Sequence, residues 1–248
     1  MNRKKIFLIC GAILFISSVP LGPKMLVELI HASLMESRYK LTSFNNDYPS
    51  REPYFEYANH SIKIDEELKN KDTFVDPWEH RTAIGNLALI VDGEVKDLLK
   101  KYPVRVEQSG LSRYWGDIAF IKMADIKKNK KSLVVVLKKT REIQKELPNG
   151  DITGGASSNE LEYTTYTFGP EGSINRDDFR LTQRNALQTK ILNAGVVGPH
   201  RLGFYTNAWQ GYPTIFFPFM YPLLPMILGF IIILVTLVKL KREKYQGR

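Results

Sequence analysis

The sequence predicts an α+β domain held between two transmembrane helices. Three observations lead to this fold class. An uncharged apolar stretch near each end of the chain brackets about 190 mostly polar residues. Each stretch carries Lys and Arg on its outer flank. Between them, strand-like and helix-like segments are interleaved without a strict βαβ rhythm, which is the pattern of α+β proteins. We therefore expect residues 42–212 to form an extracytoplasmic α+β domain.

The N-terminal segment is predicted to be a membrane anchor. A basic tail over residues 1–5 precedes an apolar run that is uncharged from Ile6 to Val19 and is then interrupted by prolines and glycine. These 14 residues fit the core of a secretory signal as well as a short membrane span. No small-x-small cleavage site follows them. The sequence therefore favours an uncleaved transmembrane helix or signal anchor over 6–23, with a cleaved signal as the alternative.

The following segment, 24–41, is predicted to form a membrane-proximal amphipathic helix. Leu26, Leu29, Ile30 and Leu34 recur at helical spacing, with charged residues between them. The apolar face is expected to meet either lipid or the core of the domain.

Several segments within the domain are predicted from local patterns. The chain from Tyr54 to Ile64 includes a strand, and Asn86–Val91 forms a short buried strand that turns at Asp92-Gly93. Val95, Leu98, Leu99 and Tyr102 then fall on one helical face, with acid first and lysines last. This predicts a helix over 94–102, capped by Asp92 and stopped by Pro103, with a strand beginning at Val104.

The second half of the domain is predicted to begin with a hairpin. Ile118–Met123 and Leu133–Leu137 are branched apolar runs on either side of a strongly basic tip. Leu161–Phe168 is rich in strand-forming residues. Asp177 or Asp178 is expected to cap a helix that runs to about Ala194 and ends at Gly195.

The C-terminal segment, 213–238, is predicted to be a transmembrane helix. Thr214 to Val238 contains no charged side chain over 25 residues, enough to cross about 30 Å of hydrocarbon. Several prolines are expected to kink its outer half. The predicted interface anchors are Trp209, Tyr212 and Tyr221. A basic tail over 239–248 follows.

The charge distribution predicts a topology. The two tails carry eight of the Lys and Arg residues against Glu243, and so account for +7 of the net charge of +9. By the positive-inside rule both termini are cytoplasmic, which makes this a two-span protein of the cell membrane. A nucleic-acid partner, which a basic chain would otherwise suggest, loses its support. Cys10 is the only cysteine, so the domain lacks disulfides, as is common in bacterial envelopes.

The chain contains no recognised catalytic motif, and its four histidines are not at metal-ligand spacing. We therefore expect no metal and no cofactor. The best candidates for chemistry are Asp76, Glu79 and His80, whose carboxylates and imidazole could move protons. The competing interpretation is a turn with ordinary surface charge.

The basic tip of the predicted hairpin has two interpretations. Lys127, Lys128, Lys130 and Lys131 could bind an anionic membrane or wall polymer. Alternatively, lysines on edge strands prevent pairing with other chains.

These observations favour a non-enzymatic role. The sequence predicts a membrane-anchored binding, scaffolding or sensor protein that acts as an accessory subunit of a cell-envelope complex. Its expected partners are membrane lipid and either a membrane protein or a second copy of the chain. One alternative is a membrane-bound envelope hydrolase or transferase that uses Glu79 and His80, and another is an anionic lipid or polymer binding module built on 127–131.

Overall fold

The computed structural model describes residues 3–198 and 219–246, which fall into two units. The helical unit is made from Met1–Ser33 and Thr206–Arg248, and the sheet unit from Leu34–Tyr205. The helices are α1 (Arg3–Ser18), α2 (Gly22–Arg38), α3 (Phe44–Asp47), α4 (Ala186–Gly195) and α5 (Leu224–Gln246). The strands are β1 (Tyr39–Ser43), β2 (Tyr54–Tyr57), β3 (His60–Val75), β4 (Arg81–Val91), β5 (Glu94–Arg105), β6 (Ile118–Asp125), β7 (Lys130–Lys138), β8 (Lys145–Glu146), β9 (Ile152–Thr153), β10 (Glu162–Phe168) and β11 (Ile174–Arg180).

In the helical unit, α1 packs against α5 through glycine. A Cβ atom at Gly229 would lie 2.6 Å from the backbone nitrogen of Phe15, and one at Gly11 would lie 2.9 Å from Cγ2 of Ile232. Only glycine allows the two backbones to approach this closely, and small residues are typical of helix contacts within membranes. Lys4 forms an ion pair with Glu243, so the start of α1 lies beside the end of α5 and the two helices are antiparallel.

The C-terminal apolar helix is confirmed. Residues Phe219–Glu243 are long and apolar enough to cross a membrane, with a mean hydropathy of 2.6. The helix is interrupted at Tyr221, where φ is −151° and ψ is 127°, immediately before Pro222. This interruption beside Pro222 corresponds to the kink predicted from the prolines. Residues 213–218 and the proposed anchors Trp209 and Tyr212 lie outside the described residues. At the N-terminus, α1 and α2 pass the same length and hydropathy criterion only together, and they are bent by 57° relative to each other.

The sheet unit contains two antiparallel sheets and a short hairpin. The five-stranded sheet has the order β1-β6-β7-β10-β11, and the four-stranded sheet has the order β2-β3-β4-β5. β8 and β9 pair separately. With its helices, this arrangement confirms the α+β class.

The central strands of the five-stranded sheet, β6 and β7, are buried on both faces over most of their length. Alternate residues of β6 and β7, such as Phe120 and Val135, join side chains of the four-stranded sheet in one core. The residues between them, such as Ile121 and Val134, pack with Ile191 and Leu192 of α4 in a second core. Strands that are covered on both faces are expected to be continuously apolar, and this explains the runs in β6 and β7.

The helix predicted over 94–102 is wrong, because these residues belong to β5. Leu99 and Tyr102 point into the core although they are three residues apart, whereas Val95 and Leu98 are exposed. The register of β4 and β5 shifts between Gly85 and Leu87 opposite this stretch, and Lys101 has a φ of +52°. An extra residue in the strand thus gives the apolar pattern a helical spacing. Asp92-Gly93, both at positive φ, forms the hairpin turn rather than a helix cap.

The predicted start of the last helix in the sheet unit is also wrong. Asp177 and Asp178 lie in β11, which pairs with β10, and Thr164 donates a hydrogen bond to Asp178. The helix α4 begins later, where Asn185 and Gln188 form a reciprocal capping box. Its predicted end at Gly195 is confirmed.

The strand predicted to begin at Val104 is wrong, because Val104 lies near the end of β5, which stops at Arg105. The remaining local predictions agree with the structure, with one shortened helix. The predicted strands at 54–64, 86–91 and 161–168 are present, and β6 and β7 form the predicted hairpin. The helix predicted over 24–41 is α2, which ends at Arg38 because β1 then pairs with β6.

His60 links its own turn, between β2 and β3, to the turns that contain Asp92 and Gly172, at one end of the sheet unit. Its Nδ1 lies 2.7 Å from a carboxylate oxygen of Asp92, and its Nε2 lies 2.8 Å from the carbonyl oxygen of Gly172. A carbonyl oxygen can only accept, so Nε2 donates, and the protonated imidazole donates from both nitrogens. The carbonyl of Gly172, and then the carboxylate of Asp92, raise the pKa of His60. The hydrogen bond from His60 lowers the pKa of Asp92.

We predict a pH-dependent contribution of His60 to stability. Because its pKa is raised by folding, the contribution is complete below the unfolded pKa of about 6.5 and is lost as the pH rises through the folded pKa. The thermal midpoint of the full-length protein in detergent should therefore differ from that of His60→Gln more at about pH 5.5 than at about pH 8.5. Asp92→Asn should reduce the same pH dependence without abolishing it, because the contact with the Gly172 carbonyl remains. An equal difference between wild type and His60→Gln at both pH values would contradict the assignment.

Candidate functional site

A cleft of about 1160 Å³ opens at the end of the sheet unit where β6 begins and β7 ends. Most of its wall comes from four parts of the chain. These are the loop between β3 and β4, the end of β5, the segment before β6, and the stretch from Lys138 to Leu161 that includes β8 and β9. The C-terminal end of α4, through Gly198, completes the wall. Loops positioned on a rigid sheet are the usual location of binding sites.

Two large aromatic side chains line the cleft while remaining accessible. Trp78 is 49% exposed and Trp115 is 38% exposed. They are the two tryptophans within the described residues. The guanidinium of Arg105 lies 5.5 Å from the ring centroid of Trp115 and holds one of these rings by a cation–π contact. Exposed tryptophan at a concave site is typical of ligand contact, because the ring offers a large apolar face and a polar N–H group.

A buried ion triad lies in the wall of the cleft. The ammonium of Lys138, which is only 8% exposed, lies 2.7 Å from Asp117 and 2.9 Å from Glu142. Burial alone would lower the pKa of Lys138, but the two carboxylates outweigh it and raise the pKa above its usual range. The hydroxyl of Tyr102 donates to Asp117, and the backbone nitrogen of Ala156 donates to Glu142. The triad thus carries one positive and two negative charges, and the hydrogen bonds from Tyr102 and Ala156 help to stabilise the two carboxylates.

A second tyrosine is buried beside the cleft. Tyr163 is 1% exposed, and its hydroxyl has no hydrogen-bond partner among the described residues. Burial raises its pKa to about 12, so the hydroxyl stays protonated. The Tyr163 hydroxyl lies beside Gly198 of the cleft wall. A Cβ atom at Gly198 would lie 2.9 Å from the hydroxyl oxygen, and the φ of Gly198 is +133°. Buried polar groups usually have a hydrogen-bond partner, whereas this hydroxyl has none among the described residues.

The structure brings two of the three predicted chemical residues into the cleft. One oxygen of Asp76 accepts hydrogen bonds from the backbone nitrogens of Trp78 and His80, at 2.9 Å each. Its other oxygen lies 3.3 Å from Nδ1 of His80 and 3.9 Å from Nε of Arg105. Glu79 does not join them: it is exposed at the turn, with a φ of +65°, and is absent from the wall. Over the part of the chain that is described, no cluster of three His, Cys, Asp or Glu residues is arranged to hold a metal ion.

The four predicted basic-tip residues Lys127, Lys128, Lys130 and Lys131 are exposed at the turn between β6 and β7, at the opposite end of these strands from the cleft. The interpretation that they protect edge strands is wrong. In the five-stranded sheet, β6 and β7 are internal and are flanked by β1 and β10.

The sequence patterns predict neither the ion triad nor the position of Trp115 in the cleft. Lys138 stood out only as one of many lysines between 122 and 146, and its two partners lie outside any motif. One signal was available: Lys138 directly follows the apolar run of β7, two residues after the buried Val136. Alternation along the strand places both side chains on the same buried face.

No family model matches this chain, and no match was found among curated proteins or solved structures. The function must therefore be argued from the geometry of the cleft and from the composition of the helices.

We predict that Lys138 stabilises the fold mainly by offsetting the negative charge of Asp117 and Glu142. Replacing Lys138 with Met leaves Asp117 and Glu142 facing each other in a buried position. The free energy of unfolding, measured by urea titration of the full-length protein in micelles, should fall by about 3 kcal/mol. The control Lys63→Met removes an exposed lysine and should cost no more than about 0.5 kcal/mol. Equal losses for the two variants would show that the triad has no such role.

Proposed function

We propose that the protein is a membrane-anchored binding protein that receives its ligand in the cleft, and that it acts as a non-enzymatic accessory or sensor subunit of a cell-envelope complex. The observation that carries this proposal is the combination of two accessible tryptophans with a wall of ion-paired and hydrogen-bonded side chains. Such a site provides apolar contact area and hydrogen-bonding groups held in fixed positions.

The helical unit supports a two-span anchor. The apolar segment Phe219–Glu243 is long enough to cross the membrane, and the antiparallel contact between α1 and α5 would return the chain to the side from which it started. Side chains of α1 and α5, such as Phe7, Ile13 and Phe230, are exposed and apolar, as expected for surfaces that meet lipid or the helices of a partner. With the basic tails in the cytoplasm, the sheet unit is extracytoplasmic, as in a bacterial envelope protein.

The cleft favours a ligand that has both an apolar face and polar groups. Trp78 and Trp115 would contact the apolar face, while the wall around Asp117 and Glu142 would provide hydrogen-bonding atoms. In an accessory subunit, this ligand is part of an envelope component or of a membrane-protein partner, including a second copy of the chain.

Site-specific photocrosslinking tests the proposal. The photoreactive residue p-benzoylphenylalanine is placed at Trp78 or Trp115 in the full-length protein, and at Tyr48, an exposed aromatic away from the cleft, as a matched control. After illumination of native membranes, we expect the two cleft positions to yield a discrete adduct of the same added mass by intact-protein mass spectrometry. If the cleft positions yield no adduct, or Tyr48 yields the same one, the cleft is not the binding site.

A second candidate is a membrane-bound envelope hydrolase or transferase. The contact between His80 and Asp76 favours it, because a carboxylate that orients an imidazole is a recurring arrangement of general bases. Both residues line the same cleft as Asp117 and Glu142. Glu79, which this candidate would also use, lies outside the wall.

The two functions predict opposite results in one assay. Full-length protein in micelles is incubated with lipid-linked wall precursor, and products are measured by mass spectrometry for wild type, His80→Ala and Asp76→Ala. For a binding protein we expect the wild type to produce no more product than buffer does. Turnover by the wild type that falls by about 100-fold in His80→Ala would establish the hydrolase instead.

A further inference from the structure

The turn between β6 and β7 presents an apolar side chain among lysines. We define the basic tip as residues Ile126–Lys131. Ile126 is 60% exposed, and the four lysines of the tip are also exposed. A solvated hairpin turn gains nothing from an exposed isoleucine, whereas an apolar residue surrounded by cations is typical of surfaces that contact the membrane interface.

The position of the basic tip is fixed by the end of α2. Arg38 donates two hydrogen bonds to Asp125, at 2.9 and 3.2 Å, and the backbone nitrogen of Ile126 donates to the carbonyl oxygen of Arg38 at 2.8 Å. The hydrogen bond from Arg38 lowers the pKa of Asp125 below its usual value. The carboxylate next to the tip is therefore already paired with a cation, and it does not neutralise the lysines.

The lysines of the tip keep most of their charge available. Lys130 lies 3.5 Å from Glu171, but both side chains are more than half exposed, and such pairs contribute little. Because β6 and β7 are internal strands, protection of a sheet edge does not explain why lysine is concentrated here.

The helix that holds the tip also has the character of an interfacial helix. Val27, Ile30 and Leu34, at a spacing of three and four residues, lie on one face of α2 and are 44%, 59% and 54% exposed. An exposed apolar face along a helix is unusual in water and common at the surface of a bilayer.

From these contacts we propose that the basic tip is a binding site for anionic membrane lipid, in which the four lysines contact lipid headgroups and Ile126 enters the interfacial layer. The site is separate from the cleft and gives the sheet unit its own contact with the bilayer surface. Near an anionic bilayer, each lysine strengthens such a contact about fivefold. Salt screens the attraction, since the Debye length falls from about 10 Å at 0.1 M to about 3 Å at 1 M.

The chain lends itself to a direct test because Cys10 is its only cysteine. In a Cys10→Ser background, Ile126→Cys is labelled with the environment-sensitive dye NBD and the full-length protein is placed in nanodiscs. The discs contain phosphatidylcholine alone or a mixture with phosphatidylglycerol. The matched control is Val75→Cys, which is 62% exposed and lies outside the cleft wall.

We expect NBD at position 126 to shift to shorter wavelength, and to be quenched by nitroxide-labelled lipid, only in the discs that contain phosphatidylglycerol. The effect should disappear in about 1 M salt and when the four lysines are replaced with glutamine. NBD at position 75 should report water in every disc. Identical spectra at position 126 in the two kinds of disc, or spectra unchanged by the lysine replacements, would overturn the proposal. Crosslinking from position 115 should be unaffected by these lysine replacements, so the proposals for the cleft and for the basic tip are tested independently.

Discussion

The burial of β6 and β7 on both faces, at the centre of the five-stranded sheet, is the constraint on which the rest of the sheet unit depends. In β6, Ile118 and Phe120 face the four-stranded sheet, while Ala119 and Ile121 face the core that contains α4. A strand buried in this way has no solvated face on which a polar side chain could act. Polar function is therefore displaced to the ends of the strands. The cleft lies where β6 begins and β7 ends, and the basic tip lies where β6 ends and β7 begins.

This arrangement separates two kinds of charge. At the cleft, Lys138 is buried between two carboxylates, and the desolvation cost of an ammonium requires that compensation. At the basic tip, the lysines remain in water, where leaving a charge unpaired costs little. Compensated charge suits recognition of a specific shape, because its hydrogen-bonding geometry is fixed. Uncompensated charge suits a diffuse anionic surface, because attraction to many headgroups needs no single geometry. The same residue type thus serves different purposes at opposite ends of one hairpin.

The sequence predicts much of the fold where the burial pattern is simple. The continuous apolar runs of β6 and β7 identify the central hairpin, and the uncharged stretch before the C-terminal basic tail identifies the C-terminal helix. Prediction fails where the backbone departs from regular geometry. In β5, the bulge near Lys101 shifts the strand period so that Leu99 and Tyr102 imitate a helix. At Asp177, a residue type that commonly caps helices is instead engaged in strand pairing and in accepting a hydrogen bond from Gln188.

The candidate site is harder to predict, because proximity along the chain differs from proximity in the cleft. The sequence suggests a single site made from Asp76, Glu79 and His80. In the structure, the turn directs Glu79 to solvent, whereas Asp76 and His80 line the cleft. Lys138 is the opposite case, since charge counting groups it with the solvated lysines of the basic tip. Position along the strand distinguishes them, because Lys138 directly follows the buried run of β7, whereas Lys130 and Lys131 lie at its exposed start. A buried ammonium requires carboxylate partners, so this position implies an ion pair at the end of β7. Which carboxylates supply it depends on tertiary structure, because Asp117 reaches Lys138 from the turn before β6 and Glu142 from the loop after β7.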